Sequence, residues 1–268
     1  MAEMEWSHGV AAAPPQSVPA WLHRLRARYF DWEDWLTMAL LLGAITSVSM
    51  ALEAGGWSES MPALTLVSVL AAIAALMLAR TRLTVLLVGP ASVVIGAGVV
   101  FWQALEMVGP GTLEQRLDAM HFRLDAWLQA ALHDGVSNDS LPFHLLILGV
   151  TWLGVFLFSW SVYRWHNAWI GLVPGGIALF MDLAFVGDSL SGAALLYYLF
   201  GFLLIMRTNL VSRMAKWRVQ DTPYPQLISF TLLNFSFWGL LVLIITAWIA
   251  PVGPFTTPGF VQSAAIRV

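Results

Sequence analysis

Seven long runs of apolar residues, separated by short polar connections, constrain the fold of this chain more than any other feature. They cover residues 35–54, 62–79, 83–105, 142–163, 168–186, 190–206 and 229–250. Most approach the ~20 residues that an α-helix needs to cross a hydrocarbon core of ~30 Å. Because lipid offers no partners to backbone N–H and C=O groups, each run is expected to be helical. The sequence therefore predicts an all-α, polytopic membrane bundle with seven transmembrane helices.

The composition agrees with a membrane domain and removes several classes of site. The 268 residues are 59% hydrophobic and 11% charged, whereas soluble domains are about half apolar and about a quarter charged. Residues 1–30 contain no basic segment followed by an apolar core, so they predict a flexible cytoplasmic leader with a basic arm, not a cleaved signal. The membrane domain is predicted over 31–252 and an extracytoplasmic tail over 253–268. The absence of cysteine excludes disulfides, thiolate metal sites and cysteine nucleophiles.

The distribution of Lys and Arg predicts the orientation of the bundle. Of the 13 such residues, ten fall in the leader and in alternate connections, which the positive-inside rule places in the cytoplasm. This predicts a bacterial inner-membrane protein with a cytoplasmic N-terminus and an extracytoplasmic C-terminus. Bases at such positions also attract anionic headgroups by about 1 kcal/mol each. The predicted lipid and topology anchors are Arg24, Arg26, Arg28, Arg80, Arg82, Arg207, Arg213, Lys216 and Arg218.

Residues 112–133 predict an amphipathic helix of a different kind. Charged and polar residues occupy so much of its surface that it is not expected to span the membrane. We expect it to lie in the outer interface or across the outer mouth of the bundle. The alternative is a docking surface for a partner or an extracytoplasmic domain. Its apolar stripe consists of Leu113, Leu117, Met120, Leu124, Trp127, Leu128 and Ala131.

Few residues in the sequence suggest chemistry. Asp182 is the single acid within a predicted span, and Glu53 and Glu106 close two spans on the same side. Ionisable groups inside membranes are functional candidates, so these three could hold a cation or relay protons. The alternative is that each is solvated or hydrogen-bonded at the interface. His144 is the one candidate axial ligand for a haem, and any pigment is expected only through a partner complex.

No enzymatic or nucleic-acid function is predicted. No catalytic, cofactor-binding or metal-binding constellation appears among the motifs that carry such chemistry. The basic run that begins at Arg207 is too small and has too few interleaved aromatic residues to predict nucleic-acid binding. Membrane lipids are the expected ligands.

Several short phrases, taken in order and spacing, resemble the N-terminal membrane domain of bacterial TgpA-like transglutaminase-like membrane proteins. The resemblance covers about residues 30–252. It implies a membrane bundle followed by an extracytoplasmic domain with a Cys-His-Asp triad. This chain has no cysteine, so no catalytic residue of the family is carried over. The phrases are EDWL (33–36), LEAGGW (52–57), LARTR (78–82), RLDAWL (123–128), SND (137–139), WHNAW (165–169), PGG (174–176), RTNL (207–210), WR (217–218) and YP (224–225).

The expected function is that of a non-catalytic membrane anchor or scaffold, as the resemblance implies. Its partners are then other membrane proteins or an extracytoplasmic domain. One alternative is an accessory subunit of a larger respiratory or photosynthetic membrane complex. The second alternative is a small transporter or channel that uses Glu53, Glu106 and Asp182.

Overall fold

A computed structural model describes residues 32–57, 61–81, 84–133, 137, 139–186, 191–220 and 227–249. Within these ranges the chain forms eight helices and no strand. A short π-helical segment, Ser161–Trp165, extends the fifth helix. The helices are α1 (Trp32–Ala54), α2 (Leu64–Arg80), α3 (Val85–Val108), α4 (Leu113–Leu132), α5 (Leu141–Trp160), α6 (Trp169–Val186), α7 (Ser191–Val219) and α8 (Ile228–Ile249).

The apolar runs of the sequence coincide with helices throughout, which confirms the all-helical, multi-pass prediction. By length and composition, α1, α3, α5, α7 and α8 can each cross a membrane, while α2 and α6 are apolar but shorter. The predicted helix over 112–133 is present as α4. The predicted leader with Arg24, Arg26 and Arg28, the residue Arg82, the side chain of Arg218 and the tail 253–268 lie outside the described residues.

The bundle is organised around α1 and α5. Helix α1 packs against α2, α6 and α7, and α5 packs against α2, α3 and α6. Helix α8 contacts α7 at the edge of the bundle, and only 6% of the residues in its apolar stretch are buried. Between α1 and α2, the buried hydroxyls of Ser49 and Ser68 lie 2.7 Å apart and form a hydrogen bond. Such bonds between helices add to the van der Waals packing that holds membrane helices together.

Glycines let several helices approach each other closely. A Cβ on Gly43 of α1 would lie 2.7 Å from the ring of Phe200 in α7. A Cβ on Gly171 of α6 would lie 1.8 Å from Phe158 in α5, and one on Gly175 would lie 3.0 Å from the hydroxyl of Tyr197. Lipid chains are as apolar as these side chains, so close packing replaces the hydrophobic effect as the source of stability.

Contacts between helix ends show that α1 and α2 run in opposite directions. Arg80, at the end of α2, forms an ion pair with Asp34 at the start of α1. At the opposite end, Glu53 in the last turn of α1 accepts a hydrogen bond from the backbone of Thr65 in the first turn of α2. We call the end with Arg80, Arg164, Arg207, Arg213 and Lys216 the basic end. The end with Glu53, Glu106 and Asp182 is the acidic end.

Helix α7 is longer than the sequence predicts. The predicted span ended at residue 206, but the helix continues to Val219 and contains 29 residues. The reason is visible in its buried side chains: Leu203, Arg207, Leu210 and Met214 recur at helical spacing and are all buried. The span was predicted to end at residue 206 because the next residue, Arg207, is basic, although it belongs to this otherwise apolar stripe.

Candidate functional site

The three acids predicted to form a site are engaged separately in the structure. Both carboxylate oxygens of Glu53 accept bonds from Thr65, from its backbone N–H at 2.7 Å and its hydroxyl at 3.1 Å. Glu53 thereby satisfies donors that the first turn of a helix leaves without intrahelical partners. Glu106 pairs with Arg116 of α4 at 3.5 Å, with its side chain 54% exposed. These contacts give both glutamates structural roles at helix ends.

Asp182 is the most deeply buried of these acids, with 0% of its surface exposed. One carboxylate oxygen accepts a 2.7 Å hydrogen bond from the indole N–H of Trp57, in the turn that follows α1. A Cβ at Gly55 would lie 2.4 Å from this oxygen, so the glycine allows the turn to close over the carboxylate. The other oxygen has no hydrogen-bond partner among the described residues. Asp182 therefore ties α6 to the end of α1 and keeps one unused acceptor.

An ion pair fastens α4 to the segment before α5. Both carboxylate oxygens of Asp139 bond to the guanidinium of Arg123, one of them to Nε at 2.7 Å. Asp139 also accepts the backbone N–H of Leu141 at 2.8 Å, at the start of α5. The hydrogen bonds from Arg123 hold the pKa of Asp139 below its ordinary value, and those bonds raise the pKa of Arg123. His144, the predicted axial ligand, is buried close to this pair.

Arg207 lies in the interior at the basic end, and only 1% of its surface is exposed. Its Nε donates to the hydroxyl of Thr37 in α1 at 3.3 Å, and one terminal nitrogen donates to Ser229 in α8 at 2.9 Å. Arg207 was predicted to be a lipid and topology anchor just outside a span, but the structure buries its side chain within the bundle. Its continuing helix turns the side chain into the bundle, whereas Arg213 and Lys216 remain exposed as expected.

A cavity of about 300 Å³ opens beside Arg207. It lies between α1, the π-helical segment and α7. Its wall includes the apolar side chains of Val162 and Met214 together with several polar groups. Asp34, one of these, is held by Arg80 at 2.9 Å. The polar side chains of the wall are Asp34, Thr37, Tyr163, His166, Arg207 and Thr208.

The turn between α5 and α6 forms one edge of this cavity. After the π-helical segment, His166 adopts a left-handed conformation with φ 52°, which is uncommon for a residue other than glycine. The carbonyl of Ser161 accepts the backbone N–H groups of His166 and Asn167, and the Asn167 side chain then accepts that of Trp169 in the first turn of α6. This explains the WHNAW phrase as a turn, and it places His166 at the cavity.

A second, more apolar groove of about 550 Å³ runs along α6 and α7. Trp169 lines it at one end and Phe185 at the other, with Gly176 and Gly201 between them. Tyr197 also lines the groove, and its hydroxyl donates to the carbonyl of Leu172. The groove therefore offers van der Waals contact and little hydrogen bonding.

Sequence reasoning identified the acids at one end and missed the cavity at the other. Arg207 was recognised only as a charge outside a span. The spacing that joins it to Leu203, Leu210 and Met214 was present in the sequence and could have revealed that it faces inward. Comparison with known proteins adds no assignment: no family model matches the chain, and neither the curated proteins nor the solved structures contain a significant match.

Proposed function

We propose that this chain is a non-catalytic membrane domain of seven spans that anchors and scaffolds other components. The proposal follows the resemblance to the membrane part of TgpA-like transglutaminase-like proteins. It places the acidic end outside the cytoplasm, where the components to be held would lie.

Counting α2 as a span is supported by the residues that it contacts at each end. Helix α2 begins beside Glu53 at the acidic end and finishes beside Asp34 at the basic end, so it runs the full height of the bundle. Its 17 residues extend over ~26 Å at 1.5 Å per residue. A shortfall of a few Å from a ~30 Å core is met by local thinning of the bilayer.

The observation that carries the scaffold proposal is the exposed, acidic face of α4. Ion pairs hold the helix to the bundle through Arg116 and Arg123, yet none of its residues is buried. Phe122 is 74% exposed and lies on the side opposite the apolar stripe. Asp118, Asp125 and Gln129 surround it at helical spacing and are also exposed. A large aromatic side chain within a polar rim is the usual anchor of a protein interface.

The charge of this face specifies the chemistry of the partner. Asp118 and Asp125 lie beside Phe122, Glu114 lies one turn before Asp118 on the same side of the helix, and no Lys or Arg of α4 shares this face. We therefore propose a protein or domain with a basic, aromatic-binding surface. Complementary charge directs encounter and suppresses wrong partners.

Photo-crosslinking in native cells tests the scaffold. A photoreactive residue at Phe122 should crosslink to one extracytoplasmic protein, whereas the same residue at Leu243 of α8, 63% exposed on the bundle edge, should not. Reversal of two charges, Asp118→Lys with Asp125→Lys, should abolish the product. Equal products at both positions, or a product that survives charge reversal, would refute the assignment.

The absence of cysteine makes the topology directly measurable. Single cysteines can be introduced at Gln129 in α4 and at Gln220 after α7, both exposed. A membrane-impermeant maleimide should label Gln129→Cys in intact spheroplasts, and Gln220→Cys only after permeabilisation. The reverse pattern would overturn the proposed orientation.

A small transporter is a second candidate, and Asp182 is the observation that favours it. A buried carboxylate oxygen without a partner among the described residues lowers the stability of the fold. Such groups inside membranes are usually retained for a function. Asp182→Asn should then abolish sodium or proton flux in proteoliposomes, while Glu106→Gln, at the exposed ion pair, should leave it intact. Wild-type protein that conducts neither ion removes this candidate.

A further inference from the structure

We propose that one anionic phospholipid binds along α7 at the basic end of the bundle, with an acyl chain in the apolar groove beside α6 and its phosphate group at Arg213 and Lys216. The observation that carries this is a continuous stripe on one face of α7. Residues three and four apart in a helix lie on the same face, and this stripe keeps that spacing while it changes from apolar to polar. All of its members are exposed except Ile205, which is partly buried; they are Tyr198, Phe202, Ile205, Asn209, Arg213, Lys216 and Gln220.

The apolar half of the stripe lines the groove of about 550 Å³ between α6 and α7. On α7 the lining extends from Tyr197 to Ile205, which is ~12 Å at 1.5 Å per residue. The acyl chains of one leaflet fill half of a ~30 Å hydrocarbon core, or ~15 Å. The part of the groove that both helices line therefore matches the depth of one leaflet, whereas a transmembrane helix of a partner would need contacts over the full height.

The groove begins where the hydrocarbon core ends. A Cβ on Gly201 would lie 3.1 Å from the side chain of Leu172, so these two residues are level with each other. Trp169 and Ile205 each lie about one turn nearer the basic end, and both line the groove. Trp169 is the first residue of α6 and is 58% exposed, as is typical of tryptophan at the membrane interface. An acyl chain in the groove therefore has its headgroup at the basic end.

The polar half of the stripe lines an open cleft of about 400 Å³ on the last turns of α7. Two bases, Arg213 and Lys216, and the amides of Asn209 and Gln220 line this cleft, and no acid of the described residues does. Neither base forms a hydrogen bond or an ion pair with the described part of the chain. Their charges and donors are therefore available, and Arg and Lys form charge-assisted hydrogen bonds with phosphate oxygens.

The length of α7 brings these bases to the headgroups. Its 29 residues extend over ~43 Å, which exceeds the ~30 Å core, so its last turns leave the hydrocarbon. Arg213 and Lys216 lie ~12 and ~16 Å beyond Ile205 along the helix, and the headgroup layer adds about 5–8 Å on each side of the core. Helical side chains lean towards the N-terminus, here towards the membrane. Their long stems therefore bring the charge of Arg213 into the headgroup layer and that of Lys216 to its outer edge.

The test compares two lipids with identical acyl chains. Native mass spectrometry of the purified full chain, titrated in detergent, gives the dissociation constants of phosphatidylglycerol and phosphatidylcholine. The anionic lipid should bind more tightly by about tenfold or more, since two bases contribute about fivefold each. Equal affinity of the wild-type chain for the two lipids would overturn the proposal.

Variants of the bases test the headgroup site. Arg213→Gln should reduce the preference for phosphatidylglycerol by about fivefold, and Arg213→Gln with Lys216→Gln should abolish it. The control is Arg164→Gln, which removes an exposed base of the same end that does not line the cleft, and it should change the preference by less than about twofold. A preference that survives the double substitution would show that the headgroup binds elsewhere.

A variant of the groove tests the acyl-chain site independently. Val173 lines the groove and is 51% exposed, so Val173→Trp fills the groove without changing the buried packing. It should weaken both lipids alike, by about threefold or more, because van der Waals contacts with the chain are lost. Leu243→Trp, on the exposed face of α8, should leave both affinities unchanged. Unchanged binding in Val173→Trp, or a dimer of the wild-type chain that this variant dissociates, would overturn the proposal, since the groove would then hold no lipid or a second copy.

Discussion

The contact between Gly43 and Phe200 allows the packing of α1 against α7 to be tested quantitatively. A Cβ on Gly43 would lie 2.7 Å from two carbons of the Phe200 ring and 2.8 Å from a third. Non-bonded carbons prefer about 3.5–4.0 Å, so the ring would have to retreat by about 1 Å. One of the three is Cγ, which rotation of the ring about χ2 does not move, so either the χ1 angle of Phe200 must change or α7 must shift. Overpacking of this kind costs about 1–3 kcal/mol.

Gly43→Ala should therefore lower the free energy of unfolding. The same substitution at a glycine without close neighbours serves as the reference. Alanine favours a helix over glycine by ~1 kcal/mol, which offsets part of the overpacking. Gly154 in α5 has nothing within 4 Å of the added Cβ, so Gly154→Ala should gain that propensity alone. The two variants should differ by about 1–3 kcal/mol in the free energy of unfolding. The assay is reversible unfolding in mixed micelles titrated with a denaturing detergent, followed by circular dichroism.

A double-mutant cycle decides whether the steric reasoning is right. In a Phe200→Ala background the clash is gone, so Gly43→Ala should become neutral or stabilising. The coupling between the two substitutions should then reach about 1–3 kcal/mol. If their effects add to within about 0.5 kcal/mol, Gly43 and Phe200 do not pack against each other as described, and the arrangement of α1 against α7 is incorrect.

The remaining predictions concern the acidic end. Trp57→Phe removes the one donor seen on Asp182 and should lower stability by about 1–3 kcal/mol, whereas Trp238→Phe, at an exposed bond on α8, should have almost no effect in the same unfolding assay. Arg123 lowers the pKa of Asp139, so the ion pair stabilises the attachment of α4 fully at any pH above the ordinary carboxyl value of 3.8. This stabilisation is lost as the pH falls below 3.8 and through the lowered pKa of Asp139. Fluorescence anisotropy of a label on α4 should thus be constant from neutral pH to about pH 4 and drop below it; Arg123→Met should give the low value at neutral pH, and a transition near pH 6 would contradict the assignment.

Much of the fold follows from the sequence because lipid leaves the backbone few alternatives. A run such as 229–250 has no partners for its N–H and C=O groups except its own, so it forms a helix wherever it packs. The existence of the helix α4 was likewise predictable, since apolar residues recur at helical spacing over 112–133. The end of α7 was missed because Arg207 looks like the end of a span, and only its spacing with Leu203, Leu210 and Met214 indicates that the helix continues.

The sites divide in the same way. The sequence identified Glu53 and Asp182 as acids near one side of the membrane. It did not reveal that Glu53 accepts a hydrogen bond from Thr65, or that Asp182 accepts one from Trp57, 125 positions away. Residues that are remote in sequence meet only when particular helix faces pack together. The cavity beside Arg207 depends on three such helices and has no counterpart in any single segment.

The sequence by itself determined that this chain is a set of membrane-compatible helices, where most of them begin and end, and how its charges separate between two ends. Each of these depends on local composition measured against the bilayer. The tertiary structure alone decided which faces meet, because a helix that is apolar all round carries no polar face to reveal its orientation. Glycines that lie close to aromatic rings, such as Gly43 at Phe200, allow these faces to meet, and Arg207 lies in the interior because it shares the buried face of α7.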